Sequence, residues 1–259
     1  MPRIGIIGGS GLQTLSGMSQ LKLIDCETRY GSASISIGEL GGQEVAFLTR
    51  HGAGHSIAPH AINYRANIRA LADLGVECVI AVNAVGGIRT DFLPGHLVVP
   101  DQIIDYSWGR ESTFYDGKPS DNQAAEEISV QHIDFSEPYD ERLRSILLDV
   151  LRLLHMPHGR DGVYACTQGP RFETAAEIRR LQRDGCDLVG MTGMPEAALA
   201  RELNIAYASL CLVVNPAPGL QAEAITLDAI MAVLEEGMSQ VNTVLSASVK
   251  TLFKSGDGA

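Results

Sequence analysis

The sequence predicts a single α/β domain over residues 1–259, with a sheet buried between helices on both faces. Three observations point to it. Short β-branched apolar runs alternate with runs whose apolar residues recur at helical spacing. Several strands are apolar at nearly every position, as strands covered on both faces are. At 259 residues, 45% hydrophobic and 20% charged, the chain has the size and composition to build a large core.

In order, residues 3–7 (RIGII) read as a buried strand closing on a glycine turn. Residues 34–40 (SISIGEL) and 44–50 (EVAFLTR) read as two more. Residues 60–74 carry Ile62, Ala66, Ile68, Leu71 and Leu74 at helical spacing, with Gly75 as the stop. VECVIAVNAV (76–85) is a doubly covered strand, followed by HLVVPDQIIDY as another. A helix spans 139–155, a strand 163–167 and a helix 174–185 ended by Gly185. DLVGM is a short strand, PEAALARELN a helix with Pro195 in its first turn, and 205–214 a long buried strand. The longest helix runs from Thr226 to about Phe253. The polar stretch 116–128 reads as a loop and SGDGA as a frayed tail.

The formal charge of −11 argues against a nucleic-acid binder, which needs a basic patch. It leaves a small anion possible, since a few backbone N–H groups and one arginine bind an anion locally. The five cysteines (Cys26, Cys78, Cys166, Cys186 and Cys211) form no CxxC and read as buried free thiols. The apolar N-terminal stretch is too short and glycine-rich for a signal peptide, and no window reaches membrane-span length. A soluble, cytoplasmic protein with no membrane partner is expected.

Ligands of open α/β sheets sit at the C-terminal ends of strands. Six motifs occupy such places. GGSGL (8–12) offers a nest of N–H groups and the Ser10 hydroxyl, suited to phosphate, or a plain tight turn; Thr14 stands where a dinucleotide motif needs its third glycine. RHGAGH (50–55) offers the Arg50 fork, with His51 as a donor to the same anion. Structural histidines, or a metal held by His51, His55 and His60, are the alternatives. NAVGG (83–87) presents Asn83 and the Ala84 N–H, or is a glycine turn leaving a strand. TQGPRFET (167–174) presents Glu173 ahead of a helix, as a ligand or as a partner for the helix dipole. GMTGMPEAA (190–198) brings Met191 as an apolar surface and Thr192 as a hydroxyl donor, and NPAPGL (215–220) brings Asn215, whose amide both donates and accepts. A core methionine and a turn asparagine before proline are the plain readings of these last two.

Taken jointly, IIGGSGL, RHGAGH with NYRANIRAL, NAVGG, GPRFET followed by AE, and MTGMPEAALARE, in this order, resemble the purine nucleoside phosphorylase family and its methylthioadenosine phosphorylase branch, over essentially residues 3–250. The resemblance implies a central mixed, partly closed sheet flanked by helices. It implies a homotrimer with sites near the subunit interfaces, and no metal or organic cofactor, inorganic phosphate being a co-substrate. By position, Ser10, Arg50, His51, Asn83, Ala84 and Thr192 would hold phosphate, although Asn83 replaces a hydroxyl residue usual in that branch. Met191 would pack on the ribose, and His132 would reach toward a neighbouring subunit's site. Asn215, with Pro216 and Ala217, and Glu173 would line the base pocket. Adenine-specific members carry an Asp-x-Asp pair where Asn215 and Ala217 stand, and a small hydroxyl residue where Glu173 stands. The 6-oxopurine members carry Glu and Asn. A carboxylate accepts from N1–H, which hypoxanthine and guanine have and adenine lacks; two opposed acceptors cost about 1–3 kcal/mol. Leu227 cannot bond a 5′-hydroxyl but packs a methylthio group. The expected reaction is therefore phosphorolysis of 5′-methylthioinosine to hypoxanthine and 5-methylthioribose 1-phosphate, with Asn215, Glu173 and Arg50 as the catalytic residues. Inosine or guanosine, and methylthioadenosine, are the alternative substrates. A hydrolytic nucleosidase and a dinucleotide-binding oxidoreductase are the alternative enzyme classes.

Overall fold

The computed structural model describes residues 3–117, 129–221 and 226–254. Most of the loop expected at 116–128, the four residues 222–225 and the expected tail lie outside the described residues.

The strands are β1 (Ile4–Gly8), β2 (Ser19–Thr28), β3 (Gly31–Leu40), β4 (Gln43–Thr49), β5 (Cys78–Gly87), β6 (Leu97–Val98), β7 (Gln102–Asp105), β8 (His158–Gly159), β9 (Val163–Cys166), β10 (Leu188–Gly190) and β11 (Ala206–Pro216). The helices are α1 (Tyr64–Asp73), α2 (Glu141–Leu153), α3 (Ala175–Arg183), α4 (Glu196–Glu202) and α5 (Leu227–Lys254). They form one sheet in the order β2-β3-β4-β1-β5-β10-β9-β7, with β11 on the other side of β5 and β6 and β8 beyond it. β1, β4, β5 and β11 run parallel, and β10 runs antiparallel to β5, so the sheet is mixed. One arm leads from β5 through β10 and β9 to β7, the other through β11 to β6, and residues 97–105 pass from one arm to the other. This half of the sheet therefore curls nearly closed around Val85, Val98, Tyr164, Cys166, Cys211 and Val213.

The two faces follow from strand alternation. Ile6, Ile80 and Val82 point to one side and pack with α2 and α5. Ile7, Val79 and Ala81 point to the other and pack with α1 and α4. Helix ends are set by local chemistry. Asn63 caps α1 and Asp140 caps α2, each accepting from the backbone N–H three residues on. Thr174 and Glu177 form a capping box on α3. Gly75 and Gly185 have positive φ just past their helices, as the expected stops require.

Four details depart from expectation. β2 is an additional strand, paired with β3 alone among the described strands and largely exposed. β8 is a second addition, two residues long and paired with β6. HLVVPDQIIDY is two short strands, β6 and β7, broken around Pro100, which has no N–H to give. NAVGG does not leave its strand: Asn83 to Gly87 continue β5, paired with β11. The glycines serve close approach instead. A Cβ on Gly87 would lie 2.3 Å from the Phe92 carbonyl oxygen, and one on Gly86 would lie 3.2 Å from Val189 on β10.

Candidate active site

Buried polar side chains mark the site. Those recorded are Arg50, His51, Asn83, Thr192, Glu196, Ser209, Asn215 and Ser248; all but Ser248 come from motifs at strand ends or from the elements packed on them.

Arg50 follows β4, its N–H donating to the Gly8 carbonyl, and is 1% exposed. Its Nε and Nη2 each donate to Glu196 over 2.7 Å, and Nη1 donates to the Val82 carbonyl over 2.9 Å. Tyr207 on β11 donates to the same carboxylate over 2.8 Å. Burial alone would lower the arginine pKa; the Glu196 charge and hydrogen bonds outweigh it, and the net shift is upward. Burial likewise holds the Tyr207 phenol well above its usual range, so it remains a donor. The Gly8–Ser10 turn lies directly over this guanidinium: a Cβ on Gly9 would stand 3.0 Å from Nη1 and 2.6 Å from the Val82 oxygen. Among the described residues, three of the five guanidinium N–H groups are engaged, on a side chain that is fully buried. The partly exposed Ser10 sits on that turn.

Asn83 joins the middle of β5 to two neighbours. Its Nδ2 donates to Ser209 Oγ over 3.1 Å and lies 3.5 Å from the Ala81 carbonyl, and its Oδ1 accepts from Thr192 Oγ1 over 2.9 Å. A carbonyl only accepts, so Ala81 fixes which way the amide faces. Ala84, next along β5, is partly exposed.

Two donor roles need correction. The single Thr192 hydroxyl proton is directed at Asn83, so toward a ligand Thr192 offers lone pairs. His51 Nδ1 lies 2.8 Å from the Ile57 carbonyl, so the neutral ring carries its proton there and Nε2 is an acceptor. Burial, aided by the Arg50 charge and opposed by that hydrogen bond, lowers the His51 pKa to about 4. His51 also packs against His55, ring centroids 4.3 Å apart, and among the described residues no three His, Cys, Asp or Glu side chains gather as a metal site would need.

The base side is assembled from the ends of β9, β10 and β11. Glu173 Oε1 accepts from Thr167 Oγ1 over 2.6 Å, and Thr167 N–H donates to the Gly190 carbonyl over 2.8 Å. The acid in the first turn of α3 is Glu177, the N3 partner in the Thr174 capping box. Asn215 sits at a bulge in β11, opposite Gly86, and is 9% exposed. Its Nδ2 donates to the Pro216 carbonyl over 2.6 Å, leaving one N–H and Oδ1. The loop after Asn215 reaches the start of α3, where a Cβ on Gly219 would lie 2.4 Å from that of Ala175. That contact draws the Asn215 and Glu173 segments together. Ala217 is a correction: it is fully buried among Ile88, Ile178 and Val189 and presents no surface to a ligand. Met191 packs on Gly169, its Sδ 2.5 Å from where a Cβ would stand. Leu227 opens α5 at 69% exposure, and His132 lies in an exposed segment before α2; neither belongs to the buried cluster.

Sequence reasoning missed Glu196, Tyr207, Thr167 and Arg110. Arg110 Nη1 donates to Met191 O, Met194 O and Tyr64 Oη, and Nη2 to Thr167 O and Gln168 O, lacing the ends of β9 and β10 together. Phe172, beside Glu173, was also passed over; it is 50% exposed, an aromatic face next to a hydrogen-bonding edge. A groove of about 750 Å³ between residues 11–17 and α5 touches none of the candidate site residues.

Residues 3–250 match the phosphorylase superfamily. A probable S-methyl-5′-thioinosine phosphorylase of Pseudomonas syringae pv. tomato is 51% identical over 243 residues, 93% of this chain and 96% of that one. A 6-oxopurine nucleoside phosphorylase of Pyrococcus furiosus is 44% identical over 254 residues, 98% of this chain and 94% of that one. A methylthioadenosine phosphorylase from Schistosoma mansoni, solved in complex with adenine, superposes with a TM-score of 0.90 at 31% identity, over 98% of this chain and 93% of that one.

Proposed function

This chain belongs to the phosphorylase superfamily, and from that premise we propose that it cleaves the N-glycosidic bond of 5′-methylthioinosine with inorganic phosphate, releasing hypoxanthine and 5-methylthioribose 1-phosphate. The observation that carries the base assignment is a carboxylate, Glu173, held as an acceptor by Thr167 just before α3, the helix whose start the loop after Asn215 reaches. An acceptor fits purine N1–H and opposes the bare N1 of adenine. The 51% identical relative bears a name of this substrate class.

Phosphate is placed against the Gly8–Ser10 turn and Arg50, with His51 Nε2 accepting from its one protonated oxygen and Thr192 beside it. Glu196 holds the guanidinium so that no reorganisation accompanies the reaction. As the glycosidic bond stretches, the sugar gains oxocarbenium character and phosphate attacks the anomeric carbon from the opposite face, its own charge stabilising the cation. Negative charge spreads over the leaving purine. Asn215 donates to it at the O6 and N7 edge while Glu173 holds N1–H. Met191 lies against the ribose and Leu227 against the 5′-methylthio group.

The same reading places the enzyme in the cytoplasm as a homotrimer, His132 reaching a neighbour's site, with no metal or organic cofactor. Phe172, Leu220, Leu227 and Met231 are exposed, and on this reading the substrate or a neighbouring subunit covers them. No helix among the described residues is long and apolar enough to cross a membrane. Inosine or guanosine is the second reading, favoured by the 44% identical 6-oxopurine relative.

Initial rates with 5′-methylthioinosine, 5′-methylthioadenosine, inosine and guanosine, each with and without phosphate, test the proposal. Fastest turnover of 5′-methylthioinosine, abolished without phosphate, is expected. Undiminished cleavage in phosphate-free buffer would make the protein a hydrolase instead.

A further inference from the structure

We propose that Thr167 is a positioning residue that sets the base preference, by turning Glu173 into a fixed acceptor facing the purine. The inference rests on the reading that Glu173 meets N1 of the base.

The Thr167 backbone is clamped on both sides. Its N–H donates to Gly190 O over 2.8 Å, and its carbonyl accepts from Arg110 Nη2 over 3.2 Å. Arg110 is itself held by Gln168 O, Met191 O and Met194 O, so the β9 end cannot shift without disturbing the β10 end. With its main chain fixed, the hydroxyl has two acceptors in reach: Glu173 Oε1 at 2.6 Å and Gly190 O at 3.3 Å. A hydroxyl has one proton, and the nearer, charged oxygen takes it. Two consequences follow for the carboxylate. Oε1 is tied to the wall of the site, which fixes the plane of the group. Oε2, with no hydrogen bond among the described residues, is the oxygen left for a base. A carboxylate so held meets an N1–H in line and meets a bare N1 with a lone pair. Without the Thr167 proton, the Glu173 side chain is free to rotate, and the acceptor that opposes the bare N1 of an aminopurine is no longer held in place. Thr167 thus acts through Glu173 and touches no reacting atom.

The test is the ratio of kcat/KM for 5′-methylthioinosine to that for 5′-methylthioadenosine at saturating phosphate. It is measured in the wild type, Thr167→Val, Thr167→Ala and Thr167→Ser, with thermal melting as the control for folding. Thr167→Val keeps the shape and removes the proton. We expect the ratio to fall about tenfold or more, the size of a lost hydrogen bond to a charged group, and Thr167→Ser to restore it. In a Glu173→Gln background the Thr167→Val effect on the ratio should disappear. A ratio within about twofold of wild type in folded valine or alanine variants, or a serine variant that behaves like valine, overturns the proposal. So does failure of both the valine and alanine variants to fold, which would make Thr167 a structural residue. A wild type that prefers the aminopurine would instead overturn the base reading on which the inference rests.

Discussion

The half of this site proposed to hold the anion and the half proposed to hold the base are built on different principles. Around Arg50 the polar groups are sealed: Arg50, Asn83, Thr192, Glu196 and Ser209 are all buried, and each bonds another from a different element. The base half stands on strand-end loops. Glu173 is partly exposed, and Phe172 and Leu227 are more so. One half is part of the core and its charges are fixed by folding. The other stands on partly exposed loops, and the proposal puts substrate choice there.

Substitutions should separate the two halves. The largest effect is expected at Glu196. Glu196→Gln leaves Arg50 buried without its counter-charge and should cost about 3–5 kcal/mol of stability in urea denaturation. A loss below about 1 kcal/mol would mean the pair is not part of the framework. Across the site, Asn215→Ala should reverse the pattern, lowering kcat about 10²–10³-fold with little change in melting temperature. Native turnover in that variant would remove Asn215 from the chemistry. His51 supplies a pH test of the sealed half. Its folded pKa of about 4 lies below the ordinary 6.5 because burial disfavours the charged ring. The unfolded chain takes up the proton first as pH falls, so this stabilisation is complete above about 6.5 and drains away toward 4. It amounts to about 2–3 kcal/mol. His51→Gln should flatten the stability profile over that window, and an unchanged slope would contradict the assignment. The smallest effect is expected from Asn215→Asp, which should shift the hypoxanthine-to-adenine preference about tenfold toward adenine, read as the ratio of kcat/KM values.

The same division explains what was legible in the sequence. β5 and β11 could be read because every residue between two helical layers must be apolar, and the chain says so locally. Arg50, Asn83 and Thr192 could be singled out because polar residues at the ends or centres of such strands have no packing reason to be there. β2 escaped because SQLKLIDCET is an exposed edge strand paired, among the described residues, with β3 alone, so no core-facing periodicity marks it. The glycines of NAVGG read locally as a turn, yet in the fold they admit β10 and the Phe92 segment alongside a continuing strand. Glu196 was invisible for another reason. In the first turn of a helix an acid looks like a dipole partner, and its actual partner, Arg50, lies 146 residues away. Thr167 and Arg110 bind main-chain atoms or a neighbour across a turn, contacts that leave no spacing signature.

Soaking hypoxanthine and phosphate into crystals of this protein would locate the base and phosphate sites at once. The structure should place N1 within hydrogen-bond distance of Glu173 Oε2, the O6 and N7 edge at Asn215, and the anion between the Gly8–Ser10 turn and Arg50. A purine bound away from Glu173 and Asn215, or phosphate bound anywhere but beside that guanidinium, would contradict the account.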